Sequence, residues 1–157
     1  MKIYCLTLGC AKNRVDSECL AGALTAAGHE LVSSVEEAEC ALVNTCGFIR
    51  PAVEESVAAI LDLEELKRDK KLKKIGVVGC LVNRYEGDLP SEVPLVDFWA
   101  RTEDWKFVLD QLKTPGDDER HRGTLPSSSK YTRYLKISEG CGNRCTYCAI
   151  PGIRGPL

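Results

Sequence analysis

Apolar and polar positions along this chain switch repeatedly between a period of two and a period near 3.6. Residues 2–8 (KIYCLTL) are rich in β-forming side chains and stop at Gly9-Cys10, which predicts a strand and then a loop. Val15, Cys19, Leu20, Ala23, Leu24 and Ala27 recur at helical spacing until Gly28 ends the run. Asn13, three residues before Asp16, reads as a capping box for that helix. A short strand is expected at His29–Val32, and a buried one at Ala41–Asn44 running into Thr45-Cys46-Gly47. From Pro51 a helix presents Val53, Val57, Ile60 and Leu61 on one face, with Glu54 and Glu55 outward in its first turn, where they suit the helix dipole. Lys73–Cys80 reads as another apolar strand, followed by a helix from about Leu81, a strand at Leu95–Trp99 and a last helix over Trp105–Leu112.

Strands alternating with helices build a parallel sheet covered on both faces. The expected fold class is therefore α/β: an open, mostly parallel sheet with helices on both faces, Rossmann- or flavodoxin-like, over residues 1–113. Residues 114–130 (TPGDDERHRGTLPSSSK) collect Pro, Gly, Ser and charge and read as a linker. A β pattern resumes at Tyr131–Ser138 and runs into Cys141. Residues 131–157 are thus expected to be the first strand and loop of a second, truncated domain. One strand cannot bury its faces without neighbours, so the chain beyond about residue 130 is expected to be poorly anchored.

Composition narrows the class. The chain has 157 residues, 44% apolar and 28% charged, with a net charge of −2, which suits a globular protein and gives no global basic field to recruit nucleic acid. No apolar run approaches the roughly 18–20 residues of a membrane span, and the apolar stretch of Met1–Cys10 is too short for a leader. A cytoplasmic protein with no membrane partner is expected. Nine cysteines in such a chain favour metal or cluster binding over a disulfide framework.

Three of the nine, Cys141, Cys145 and Cys148, form a CxxxCxxC. Thiolates hold iron–sulfur clusters at one per iron, so three of them on a four-iron cube leave one iron open to bind and act on something. A closed zinc site needs a fourth ligand, for which the nearest candidate is His121, twenty residues before Cys141. A second set is dispersed: Cys10, Cys46 and Cys80 lie 36 and 34 residues apart, about one βα unit with its loops. Each follows a predicted parallel strand, and the carboxyl ends of such strands share the edge where ligands bind. Gly9-Cys10, Cys46-Gly47 and Gly79-Cys80 also pair each thiol with a residue that permits close approach. These are read as a three-thiol cluster site, against the plainer reading of three separate buried thiols.

Other chemistry-bearing residues take structural readings. Cys5 falls mid-strand, Cys19 on an apolar helix face and Cys40 just before a strand, so all three are expected to pack. His29 and His121 have no ligand-like company and are expected at the surface. The basic run from Lys67 to Lys74 could touch RNA, but as a helix C-terminus it complements the dipole and is expected to be a solvated helix end.

The motifs together resemble the methylthiotransferase family of radical S-adenosylmethionine (SAM) enzymes. They are Gly9-Cys10-Ala11-Lys12-Asn13 with Val15-Asp16-Ser17-Glu18, Asn44-Thr45-Cys46-Gly47-Phe48-Ile49, Gly79-Cys80-Leu81 with Arg84-Tyr85, Lys136-Ile137-Ser138-Glu139-Gly140-Cys141, and Cys145-Thr146-Tyr147-Cys148-Ala149-Ile150-Pro151 closing with Arg154-Gly155. The forms around Cys10 and Cys46 are most similar to the branch that modifies an aspartate of a small-subunit ribosomal protein; the tRNA-adenosine branch usually carries Gln-Met-Asn and Ser-Val-Arg-like runs there. The resemblance implies a radical SAM [4Fe–4S] cluster on Cys141, Cys145 and Cys148, an auxiliary [4Fe–4S] cluster on Cys10, Cys46 and Cys80, and SAM as cofactor. It further implies Tyr147 beside the cluster or the SAM adenine, Asn44 shaping the loop before Cys46, a ribosomal protein or a tRNA as substrate, and an external electron donor. Family members continue into a partial barrel and a small β domain, so these residues are expected to be an N-terminal part without turnover of its own. A different class, a non-catalytic cluster carrier, would use four thiolates per cluster, where each set here offers three.

Overall fold

The computed structural model describes residues 1–113 and 122–156. Five strands, β1 (Lys2–Thr7), β2 (Glu30–Val32), β3 (Cys40–Thr45), β4 (Lys74–Gly79) and β5 (Phe98–Ala100), form one sheet in the order β2-β1-β3-β4-β5. All four pairings are parallel. The α/β expectation holds for this part of the chain. Helix α1 (Ala11–Ala26) joins β1 to β2, and α2 (Arg50–Arg68) joins β3 to β4. Because the chain moves outward in opposite directions from β1 and β3, right-handed crossovers put these helices on opposite faces.

Successive strand residues therefore feed two cores. On one face Ala41, Val43, Ile75 and Val77 pack with Ile60 and Leu63 of α2. Leu81 and Val82 of α3 (Cys80–Tyr85) and Leu89 of α4 (Leu89–Glu92) complete that layer. On the other, Ile3, Cys40, Leu42, Val78, Phe98 and Ala100 pack with Leu20 and Leu24 of α1 and Val108 and Leu109 of α5 (Trp105–Gln111). Strand β3 is buried along its whole length, as befits the centre of a doubly covered sheet.

Several expectations change. Helix α1 begins at Ala11 with Cys10 as its N-cap and no side-chain cap, so Asn13 is not a capping residue; it is buried and bonded elsewhere. Leu61 is exposed, and Leu63 takes the buried place beside Ile60, because the 3.6-residue period carries position 61 past the sheet. The last strand is confined to Phe98–Ala100, since Asp97 turns its carboxylate to the Ile75 amide (2.7 Å) and to Lys67. No strand forms at Tyr131–Ser138: it pairs with no strand of the sheet, the Tyr131 and Thr132 amides donate to Ser129 Oγ (both 3.2 Å), and Tyr131 and Ile137 are 96% and 90% exposed. An unpaired extended segment has neither ladder bonds nor a face to bury, which removes what stabilises a strand.

Yet the chain beyond 130 is tied down by charge. Glu18 receives Arg122 Nε (2.7 Å), Arg133 Nη1 (3.1 Å) and Ser128 Oγ (3.2 Å), while Leu125 is buried and the Gly123 amide donates to the Glu18 carbonyl (2.7 Å). Burial alone would raise the Glu18 pKa; Arg122 and then Arg133 outweigh it and hold the carboxyl below its ordinary value. Residues 122–130, part of the expected linker, thus lie along α1, while 114–121 of that linker fall outside the described residues.

Candidate functional site

The register levels the strand ends that carry the dispersed thiols. Thr7 pairs with Asn44 and Thr45 with Gly79, so β1, β3 and β4 finish side by side at one edge. The order β2-β1-β3 reverses direction between β1 and β3, making this edge the topological switch point of the sheet. Cys10 caps α1, Cys46 follows β3, and Cys80 opens α3. Cys46 and Cys80 are buried and Cys10 is exposed.

Glycine lets these turns close on one another. A Cβ on Gly9 (φ 87°) would stand 2.6 Å from Cys46 Cβ and 3.0 Å from Cys46 Sγ, and one on Gly47 would stand 2.6 Å from the Cys80 carbonyl oxygen. The loops after β1, β3 and β4 therefore touch pairwise only because side chains are missing there.

Polar side chains, of which the sequence reading gave only Asn44 a part in shaping a cysteine loop, hold the three loops in place. Buried Asn13 donates through Nδ2 to the Leu8 carbonyl (2.8 Å) and the Thr45 carbonyl (2.9 Å), stitching the first loop to the second. Asn44 donates to the Asn13 carbonyl (2.9 Å) and Ser17 Oγ (3.0 Å), so its expected part in shaping this region is made through α1. The Ser56 hydroxyl of α2 lies 3.1 Å from the Cys46 amide and 3.2 Å from the Cys46 carbonyl, clamping that residue's backbone. Arg84 Nη1 donates to the carbonyls of Gly47 (2.8 Å) and Phe48 (3.2 Å).

The CxxxCxxC loop approaches the same edge through α6 (Ile150–Arg154). Asn83 of α3 donates to the Ile153 carbonyl (2.7 Å), and Lys12 Nζ to the Glu139 carbonyl (2.6 Å). Arg154 is buried and donates from Nε to Cys80 Sγ (3.1 Å), from Nη1 to Asp16 Oδ2 (2.9 Å) and to Glu139, and from Nη2 to Asn13 Oδ1 (2.5 Å). Burial disfavours the guanidinium charge, but Cys80 and Asp16 more than compensate and Arg154 is held more basic than usual. Burial raises the Cys80 thiol pKa, opposed by Arg154 and reinforced by the nearby Cys46 and Cys10. Cys141 and Cys148 are half-buried and Cys145 is exposed, with the Cys141 amide bonded to the Gly155 carbonyl (3.1 Å) and the Cys148 amide to the Cys145 carbonyl (3.0 Å). Tyr147 is 91% exposed.

Among the described residues no three Cys, His, Asp or Glu side chains stand close enough to share one metal ion. His121 lies outside the described residues. A cluster asks for something else, since each thiolate meets its own iron and the ligands surround a body instead of a point. The donor chemistry fits that demand: thiols from three loops, pressed around a glycine-lined edge beside a buried cation. The remaining thiols behave otherwise. Cys40 is buried and Cys5 packs against the same core; burial pushes both thiols up to about 12, as expected of packing residues. His29 sits half-buried near the N-terminal amino group (Nδ1 to N, 3.3 Å). In the basic run, Lys73 pairs with Glu39 (2.7 Å), and Lys67 reaches the Leu95 carbonyl (2.9 Å).

Comparison with known proteins places this architecture. Residues 2–101 match the model described as uncharacterized protein family UPF0004. The chain belongs to that family. It is also similar over nearly its whole length to proteins named ribosomal protein uS12 methylthiotransferase RimO. It is 44% identical over 98% of its length to that of Anaeromyxobacter sp. (strain K) and 46% identical over 99% to that of Aquifex aeolicus (strain VF5). To that of Desulfotalea psychrophila (strain LSv54 / DSM 12343) it is 43% identical over 100% of its length. It spans 35%, 34% and 38% of these relatives respectively, about a third of each. Asn13 and Asp16 could have been found from the sequence: they lie with Leu20 and Leu24 on one helical stripe, so polar residues there were bound for the interior.

Proposed function

We infer that these residues are the N-terminal part of a radical SAM methylthiotransferase that adds a methylthio group to the β-carbon of an aspartate in ribosomal protein uS12. The observation that carries this reading is the convergence of Cys10, Cys46 and Cys80 at the switch-point edge, in a chain similar over its length to proteins named for that activity. Residues 1–113 form the auxiliary-cluster domain, and 131–157 begin the domain that holds the radical SAM cluster.

In this reading Cys10, Cys46 and Cys80 hold one [4Fe–4S] cluster, and Cys141, Cys145 and Cys148 hold the other. Bound at Cys141, Cys145 and Cys148 with SAM, such a cluster would supply radical chemistry able to reach an unactivated C–H bond, and one at Cys10, Cys46 and Cys80 would supply sulfur. The protein's own contribution is arrangement. Asn13 and Ser56 fix the loops that offer two of the thiols, and Arg84 fixes the chain leaving Cys46. Exposed Cys145 and Tyr147 face outward, where SAM and the rest of a longer protein would meet them.

Incubating the intact protein with SAM, reductant and uS12 is expected to add a methylthio mass to one aspartate. The same addition on a tRNA adenosine, with uS12 unmodified, would overturn the substrate assignment in favour of the other branch. The 157-residue chain alone is expected to show no turnover. An iron–sulfur carrier, the alternative of another class, would transfer no mass to either substrate.

A further inference from the structure

Among the described residues Arg154 is the one buried cation, its side chain 2% exposed. It arrives from α6, six positions after Cys148, yet its guanidinium lies among residues of α1 and α3. Three groups fix the far end of the fork: Asp16 and Glu139 on Nη1 and Asn13 on Nη2. Nothing is left for Nε except the sulfur of Cys80, 3.1 Å away. Asp16 is itself shared with Lys136, and Lys136 with Glu139, so the guanidinium plane is held by a network rooted on α1. A planar fork pinned at one end delivers its remaining N–H in a set direction, which a flexible ammonium does not.

We propose that Arg154 is a positioning residue for the Cys80 ligand. It donates Nε–H to the thiolate sulfur and links the segment bearing Cys141, Cys145 and Cys148 to the strand-edge site. The proposal rests on Cys80 holding a cluster, as argued above. A hydrogen bond to a cluster-bound sulfur draws electron density from it and raises the reduction potential, as does a fixed positive charge beside it. The cation also offsets the negative charge that three thiolates bring to a buried edge.

The test uses the intact protein with Cys141, Cys145 and Cys148 all replaced by alanine, reconstituted anaerobically so that only the strand-edge site is loaded. Lysine carries a methylene where arginine carries Nε, so Arg154→Lys keeps the charge near Asp16 and removes the donor aimed at Cys80. It is expected to fold, to retain iron and to titrate at lower potential. A tenfold fall in the reduced-to-oxidised ratio at fixed poise corresponds to about 59 mV for a one-electron couple, and a shift of that order is the expected result. Arg154→Gln combined with Asp16→Asn avoids leaving a buried carboxylate unpaired and is expected to shift further in the same direction. Iron loss from a folded Arg154→Lys variant would count against the assignment, because it is what a purely structural role in the network would give. Unchanged potential and electron paramagnetic resonance spectrum in both variants at full iron content would overturn it, because a purely structural cation moves neither. Failure of the underlying reading looks different: Cys80→Ala would then leave iron content unaltered.

Discussion

Replacing Gly79 with alanine tests how the strand edge is built. Gly79 ends β4 with φ 108° and ψ −164°, a conformation essentially confined to glycine. Forcing another residue into it costs about 1–3 kcal/mol. An added Cβ would stand 2.5 Å from Asn44 Oδ1, 2.6 Å from the Thr45 carbonyl oxygen and 2.9 Å from the Thr45 amide nitrogen. Two of those atoms are backbone of β3, which pairs with β4 at this position, so they cannot retreat without opening the central ladder. Overpacking of that kind adds about 1–3 kcal/mol. The sum is about 4 kcal/mol, a large share of the roughly 5–15 kcal/mol of an ordinary domain. With a urea slope of about 2 kcal/mol/M, the unfolding midpoint is expected to fall by about 2 M. Gly87→Ala is the control: its φ is not positive, nothing lies within 4 Å of its Cβ, and its stability is expected to stay level or rise by about 0.4–1 kcal/mol. A Gly79→Ala midpoint close to that of the parent, with an unchanged slope, would refute the close packing of β4 on β3 at the cysteine edge.

Two further outcomes follow from the buried thiols and the tail. Cys5 and Cys40 are pushed up to about 12, so between the ordinary thiol value and pH 12 the folded chain keeps protons that the unfolded chain releases. Stability is therefore expected to fall as pH rises through that window, with a shallower fall in a Cys5→Ala/Cys40→Ala variant; equal slopes in urea titrations would contradict the assignment. In Gly140→Ala a Cβ would lie 1.8 Å from the Gly155 carbonyl oxygen, which accepts the Cys141 amide. Faster hydrogen exchange at Cys141 is expected, and unchanged exchange would show that Gly140 and Gly155 are not in contact.

The layered fold was legible because its cause is periodic: β3 and β4 are apolar runs of strand length, and α1 and α2 carry apolar stripes. The placement of Cys10, Cys46 and Cys80 at one sheet edge was legible for the same reason, since Cys46 and Cys80 directly follow parallel strands and Cys10 stands three residues past the end of β1. What stayed hidden depended on contacts far apart in sequence. Arg154 meets Asp16 across 138 positions and Cys80 across 74, and no local pattern encodes either encounter. Asn13 was misjudged because its spacing to Asp16 imitates a cap, whereas its side chain serves two loop carbonyls. The β pattern at Tyr131–Ser138 was a true propensity without a partner, and strands need partners. Its expected looseness overlooked the ion pairs, because Lys136, Glu139 and Arg154 find their counter-charges on α1 and on one another.

The central claim is that this chain carries two independent three-thiol cluster sites. Iron and sulfide analysis of anaerobically reconstituted protein tests it most directly, using Cys80→Ala, Cys145→Ala and the combination of both. About eight iron per chain are expected in the parent, about four in each single variant and almost none in the double variant, as two four-iron clusters require. Iron content unchanged by Cys80→Ala, or abolished in full by either single substitution, would contradict two independent sites.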